Sequence, residues 1–234
     1  MVAASAIFMK LDTTTSGNWP GVYGSQGFFL FGGSNTAPSY CQVPSGAQVS
    51  FNSRSQPTVW AASTTDPRAC PISAASGAAR YAGCWWTWSN ITINVNVTDG
   101  GTHRIALYAL DWNNYGWTGT FEILDHVSQV VLSSQTLSNY GNGVYAIWAI
   151  TGNVDIVINR IASSNNPASL SGLFLDPSGT VPTMVTLTSS VNPAVVGQPV
   201  EFTATVVPVT GTVAPTGTVT FYDGATVIGT GTLS

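Results

Sequence analysis

Ile91-Thr92-Ile93-Asn94-Val95-Asn96-Val97 alternates apolar and polar residues without a break. Period two places Ile91, Ile93, Val95 and Val97 on one face of an extended chain and the hydroxyl and amide groups on the other. An α-helix would scatter the same residues around its circumference. The segment therefore reads as a strand with one face on a core and one face in water. Asp99-Gly100-Gly101 follows as a turn and 103–110 returns as a second extended run, so a hairpin is expected here.

The same pattern continues outward. Residues 119–124, 127–132, 143–150, 154–159 and 170–175 read as further strands, and Asp176-Pro177-Ser178-Gly179 breaks the series. No stretch combines a 3.6-residue period with helix caps. Many short strands punctuated by Gly, Asn, Pro and Ser predict an all-β chain built as a sandwich or jelly roll. Composition agrees: charged residues make up 7% of the 234, against about 25% in typical soluble domains. Thr, Ser, Asn and Gly supply the polar surface instead, which suits strands and turns.

Charge also narrows the partners. With 6 Lys+Arg, 10 Asp+Glu and a net charge of −4, the chain lacks the basic footprint that phosphate binding needs, which argues against nucleic acid. It has neither an apolar run long enough to span a bilayer nor a basic amphipathic stretch, so membrane insertion is not expected. The N-terminus has no basic region followed by a long apolar core, so no intact signal peptide is read there.

After Pro177 the composition changes. Trp disappears, and Thr, Val, Pro and Gly dominate. Residues 184–190, 199–206 and 217–223 alternate as strands, 225–230 begins a fourth, and Asp223-Gly224 is a two-residue hairpin turn. Asn192-Pro193, Gly197-Gln198-Pro199 and Pro215-Thr216-Gly217 before the Val-Thr-Phe strand resemble a bacterial Ig-like repeat of large secreted and surface proteins. Such sandwiches need about 100 residues and seven strands, and 184–234 covers about half of that.

The preceding residues carry a second likeness. Asp12-Thr-Thr-Thr-Ser-Gly-Asn-Trp-Pro-Gly-Val-Tyr-Gly24, Trp60-Ala-Ala-Ser-Thr-Thr-Asp-Pro-Arg68, Ala106-Leu-Tyr-Ala-Leu-Asp-Trp112 and Leu170-Ser-Gly-Leu-Phe-Leu-Asp176 resemble a non-catalytic jelly-roll module. That module recurs beside Ig-like repeats in bacterial surface proteins and secreted polysaccharide-active proteins. The chain departs from it at Gly116-Trp117-Thr118, where an arginine is expected after the glycine. The organisation implied is a jelly-roll-like β-sandwich over 1–177, a linker over 178–183 and a partial Ig-like module over 184–234, in an extracellular or cell-surface protein.

Catalytic machinery is not expected. Sugar hydrolysis would need two facing carboxylates, yet Glu122 and Glu201 fall in different modules. Glu122 and Asp125 point to opposite faces of one strand. Asp99 and Asp223 sit in turns and serve the backbone. There is no G-x-S-x-G, and His103 and His126 lie at strand ends. Two histidines and three cysteines without a CxxC give no metal set. No cofactor is called for, although a structural calcium built from backbone carbonyls would leave no trace in sequence. Cys41, Cys70 and Cys84 permit either one disulfide, Cys41–Cys70, with Cys84 buried beside Trp85, or three buried thiols.

Aromatic residues are the most suggestive feature. All eight Trp precede residue 149. Trp60, Trp85 and Trp148 are expected in the core. Trp85-Trp86-Thr87-Trp88 puts Trp86 and Trp88 on one strand face. Asp111-Trp112-Asn113-Asn114-Tyr115-Gly116-Trp117 places Trp112, Tyr115 and Trp117, with Asp111, in a polar loop. Exposed, these rings could stack on sugars or pack against another protein copy. In the second module Val185, Leu187, Phe202, Val219 and Phe221 form an apolar face with unpaired edges beside it. Two functions follow. One is a non-catalytic structural subunit of a fibre or surface assembly, its Ig-like half completed by neighbouring copies, with residues 1–10 as a donated strand. The alternative is a carbohydrate-binding module of a larger secreted glycoside hydrolase or adhesin, with polysaccharide as partner.

Overall fold

The computed structural model describes residues 2–51, 55–161, 166–177, 183–208, 215 and 217–233. They divide into two compact units, 1–179 and 180–234. The linker expected over 178–183 lies outside the described residues except for Thr183. Among the described residues the chain is almost entirely antiparallel β-structure, with one short 3-10 turn at Tyr140–Asn142.

Unit 1 is a β-sandwich. A central sheet runs Ser5–Asp12, Val144–Thr151, His103–Ala109, Gly172–Pro177, Gly27–Leu30, Tyr40–Gln42 in spatial order. An outer sheet runs Val131–Ser138, Thr118–Asp125, Asn153–Arg160, Asn90–Val97, Ala47–Phe51. A third sheet orders Ala168–Leu170, Arg80–Thr87 and Gln56–Thr64, with Cys70–Pro71 paired to Arg80–Thr87.

The alternation at 91–97 works as its period requires. Ile91, Ile93 and Val95 are fully buried and meet Ile105, Leu107, Trp148 and Ile150 of the central sheet in one core. Burying such a side chain contributes about 1.5–3 kcal/mol. The central sheet is apolar on its other face too. Tyr108, Tyr145, Ile147 and Phe174 form a second core with Trp19, Tyr23 and Cys70. The loop that carries Trp19 and Tyr23 is pinned by Asp12, which accepts hydrogen bonds from Thr15 Oγ1 at 2.6 Å and Tyr23 Oη at 2.6 Å. Burial raises the Asp12 carboxyl, but the bonds from Thr15, Tyr23 and Thr14 outweigh it and hold the group well below the usual range.

Several expectations are corrected by this double covering. Asn90–Val97 and His103–Ala109 are not a hairpin: they belong to different sheets. His103–Ala109 is apolar on both faces and needs a sheet covered on both sides, whereas Asn90–Val97 has one wet face. The strand expected at 127–132 begins only at Val131, because Asp125 takes the Val127 and Ser128 N–H groups into a turn. Residues 1–10 are no free donor strand. Ser5–Asp12 is the edge of the central sheet and pairs from Ser5↔Thr151 to Asp12↔Tyr145.

No Cys41–Cys70 disulfide exists. Cys41 is exposed on the edge strand Tyr40–Gln42, while Cys70 is buried in the second core, and all three cysteines are free thiols.

Among the described residues of unit 2 there are two hairpins. Thr183–Ser189 pairs with Phe202–Pro208, and Gly217–Asp223 pairs with Thr226–Leu233 around Gly224-Ala225, one residue later than the expected turn. Pairing Leu187 with Ala204 and Ser189 with Phe202 puts Val185, Leu187 and Phe202 on one face of the first hairpin. Val219 and Phe221 share a face of the second, opposite Gly231 and Gly229.

Candidate aromatic groove

The two aromatic groups that lie apart in sequence line one groove. Thr58, Trp60, Trp86, Trp88, Asn113, Tyr115, Trp117, Asn166 and Pro167 surround an open volume of about 530 Å3. Three pieces of chain build it: the paired strands Gln56–Thr64 and Arg80–Thr87, the 111–117 loop, and the segment at Asn166.

Trp86 and Trp88 follow from strand alternation. Trp85 points inward and stacks on Phe31 with centroids 4.2 Å apart. Trp86 and Trp88 point outward, edge to face at 84° and 6.0 Å. Trp86 Nε1 donates to Thr58 Oγ1 across the ladder at 2.9 Å, which fixes its ring. Trp88 is 52% exposed, and the Arg160 guanidinium lies 5.3 Å from its ring centroid.

Trp60 was expected in the core; it packs against the margin of the second core and also lines the groove. The ladder from Gln56–Thr64 to Arg80–Thr87 pairs Val59 with Gly83 and then Ala61 with Ala82, so Trp60 is the extra residue of a bulge. A bulge re-aims its side chain out of the strict alternation. The ring comes to rest half-buried, 6.2 Å from Trp117 and 6.3 Å from Trp112. Trp85 and Trp148 are fully buried.

The 111–117 loop is shaped from beneath. Asp111 is buried, and its Oδ2 accepts the N–H of Gly116 at 2.8 Å and of Trp117 at 3.1 Å. Gly116 adopts φ 76°, which lets the chain reverse so that both N–H groups converge on one oxygen. Asp111 is therefore a support of the groove and does not line it. Trp112 does not line it either. Its ring backs Trp60 at an interplanar angle of 9°, and the Arg68 guanidinium sits 4.5 Å from its centroid. Arg68 is itself held by Asp66 at 2.8 Å and donates to the carbonyls of Trp112 and Gly141. Tyr115, 68% exposed, and Trp117 form the opposite wall, tilted by 37°. Trp117 stands where an arginine was expected from the resemblance, so the departure supplies a ring to the groove.

Chemically the groove offers faces and hydrogen bonds. Among the described residues the indole N–H groups of Trp60, Trp88 and Trp117 have no protein acceptor. The amide of Asn113 is exposed, and Asn166 uses its Nδ2 on Gly116 O and Thr118 Oγ1. Among the described residues no carboxylate lines the groove. The acids are engaged elsewhere: Asp99 with His103 and Gly101 N, Glu122 with Asn159, Asp155 with Asn94, His126 and Gln129, and Asp176 with Ser25 and Arg104. Among the described residues no group of three or more His, Cys, Asp or Glu could hold a metal ion.

Comparison with known proteins reaches the other unit. Residues 187–234 match the bacterial Ig-like domain (group 3). No curated protein matches the chain. Within that Ig-like segment Val185, just before the match, and Leu187 are each 57% exposed and Phe202 46%, while Val219 and Phe221 are half-buried.

Proposed function

We propose that residues 1–177 are a non-catalytic carbohydrate-binding module of an extracellular or cell-surface bacterial protein, carried beside an Ig-like segment. The observation that carries this reading is the convergence of Trp60, Trp86, Trp88, Tyr115 and Trp117 on one open groove edged by Asn113 and Asn166. Axial C–H groups of a sugar ring pack on aromatic faces, and sugar hydroxyls pair with amide and indole groups, so such a lining suits a glycan. The location rests on the Ig-like match, a domain type frequent in secreted and surface proteins. Among the described residues no helix is long and apolar enough to cross a membrane.

The test is direct. The chain is run through native gels cast with soluble polysaccharides, alongside Trp88→Ala and Tyr115→Ala. Retardation of the parent that both variants lose supports the module. Variants retarded like the parent would remove the groove from binding.

A second reading has its own support. The exposed face of Val185, Leu187 and Phe202 offers apolar area to another copy, as in a fibre or surface assembly. Light scattering at two concentrations tests it. A concentration-dependent rise in size that Leu187→Lys abolishes would establish it, and a constant monomer would end it.

A further inference from the structure

The groove is strongly biased in the kind of glycan it can take. Its nine lining residues are Trp, Tyr, Asn, Thr and Pro, and none carries a charge at neutral pH. Two cations contact the aromatic rings, and neither is among the lining residues. Arg68 is paired with Asp66 and with two backbone carbonyls, and Arg160 lies on the ring of Trp88 and reaches its carbonyl. A carboxylated or sulfated sugar would enter without a dedicated counter-charge, against a chain whose net charge is −4. Desolvating an anion without a partner is strongly unfavourable. Acid-binding sites instead present Arg or Lys forks toward the ligand.

Ring geometry adds a second restriction. A crystalline polysaccharide face is flat and needs aromatic rings in one plane. Here Trp86 and Trp88 are at 84°, Trp60 and Trp117 at 47°, and Tyr115 and Trp117 at 37°. The rings wall a cleft and make no platform. A cleft of this form contacts a single chain on more than one side.

We infer that the groove binds a single, soluble, uncharged polysaccharide chain, without a metal ion and with little dependence on salt. This rests on the carbohydrate-binding reading above and adds the chemical class of its ligand.

The experiment uses the whole chain and three sets of probes. Neutral soluble polymers are hydroxyethylcellulose, xyloglucan and galactomannan. Acidic polymers are polygalacturonate and alginate. Insoluble polymers are microcrystalline cellulose and chitin. Binding is measured by calorimetry or pull-down at 50 and 500 mM NaCl, with and without a chelator. The expected result is binding to at least one neutral soluble polymer, changed less than twofold by salt or chelator, and weakened at least tenfold in Trp88→Ala/Tyr115→Ala. Both side chains are largely exposed, so the double variant should retain the parent's melting temperature, which the same preparation can verify. Acidic polymers bound as tightly as neutral ones, with affinity falling steeply in salt, would overturn the neutral assignment while leaving a glycan module standing. Capture on insoluble polymers alone would overturn the single-chain assignment in the same way. No binding to any of the seven polymers would overturn the inference together with the carbohydrate reading beneath it.

Discussion

Trp60 and Trp112 lie nearly parallel, 9° apart with ring centroids separated by 6.3 Å, although 52 residues of chain divide them. Only Trp60 reaches the groove. Trp112 is its backing, and it is steadied in turn by the guanidinium of Arg68. The groove wall is thus backed by charged residues that do not line it.

Arg68→Leu tests that dependence. The change removes the bidentate pair with Asp66, Nε to Oδ1 and Nη2 to Oδ2, and leaves the carbonyls of Trp112 and Gly141 without their donor. Hydrogen bonds to charged groups contribute about 1.5–3 kcal/mol each, and some are recovered from water at this partly exposed position, so a net loss of about 2 kcal/mol is expected. Urea unfolding measures it. Arg68→Lys should recover less than half, because an ammonium lacks the planar fork. Glycan affinity should fall in parallel as Trp112, which backs Trp60, loses the guanidinium that steadies it.

Asp111 carries the 111–117 loop. Asp111→Ala would leave the Gly116 and Trp117 N–H groups without their acceptor; Gly116 is exposed and Trp117 half-buried, so water offsets part of the loss and a cost of about 1 kcal/mol each is expected. Asp111→Asn keeps an oxygen at the same place and should be milder. The order parent, Asn, Ala in melting temperature and in glycan affinity is the expected outcome. Equal affinity in all three would mean that the loop does not set the groove.

The cysteines should differ sharply in reactivity. Cys41 is exposed, whereas burial pushes the Cys70 thiol up to about 12 and the Cys84 thiol higher still. The thiolate is the reactive form. At pH 8 a disulfide reagent should titrate one thiol in the folded chain and three in urea, and Cys41→Ser should abolish the native signal.

Stability should decline in alkali. Cys70 ionises near 9 when exposed and near 12 when folded, and burial likewise raises Tyr108, Tyr140 and Tyr145. Each raised group contributes stability that is complete below its unfolded value. Above that value the unfolded chain releases the proton while the folded chain keeps it, so stability falls as pH rises. The unfolding free energy obtained from urea titration should therefore drop between pH 9 and 11, by up to about 1.4 kcal/mol per pH unit for each fully coupled group. Cys70→Ala should make the slope shallower.

The segment 91–97 announced its strand and its buried face through period two alone, and the low charge content pointed away from helices. The outward placing of Trp86 and Trp88 was legible for the same reason, since alternate residues of a strand face opposite ways. The turn at 224–225 was legible to within one residue from Asp223-Gly224. These are local properties, decided by backbone geometry over a few residues.

Where those strands went was not local. Asn90–Val97 and His103–Ala109 follow one another in sequence yet enter different sheets, because His103–Ala109 is buried on both faces and needs the double cover of the central sheet, whereas Asn90–Val97 keeps one face wet. Trp60 left the alternation through a bulge that exists only when its strand pairs with Arg80–Thr87. The groove required Trp60, Trp86 and Trp117 to meet from three segments far apart along the chain. Sequence by itself determined the all-β class and, in regularly alternating segments such as 91–97, which residues were strand and which face was wet. Tertiary structure decided which strands were neighbours and so which rings share a surface, because long-range pairing depends on the burial available in the assembled sandwich and not on any short stretch of residues.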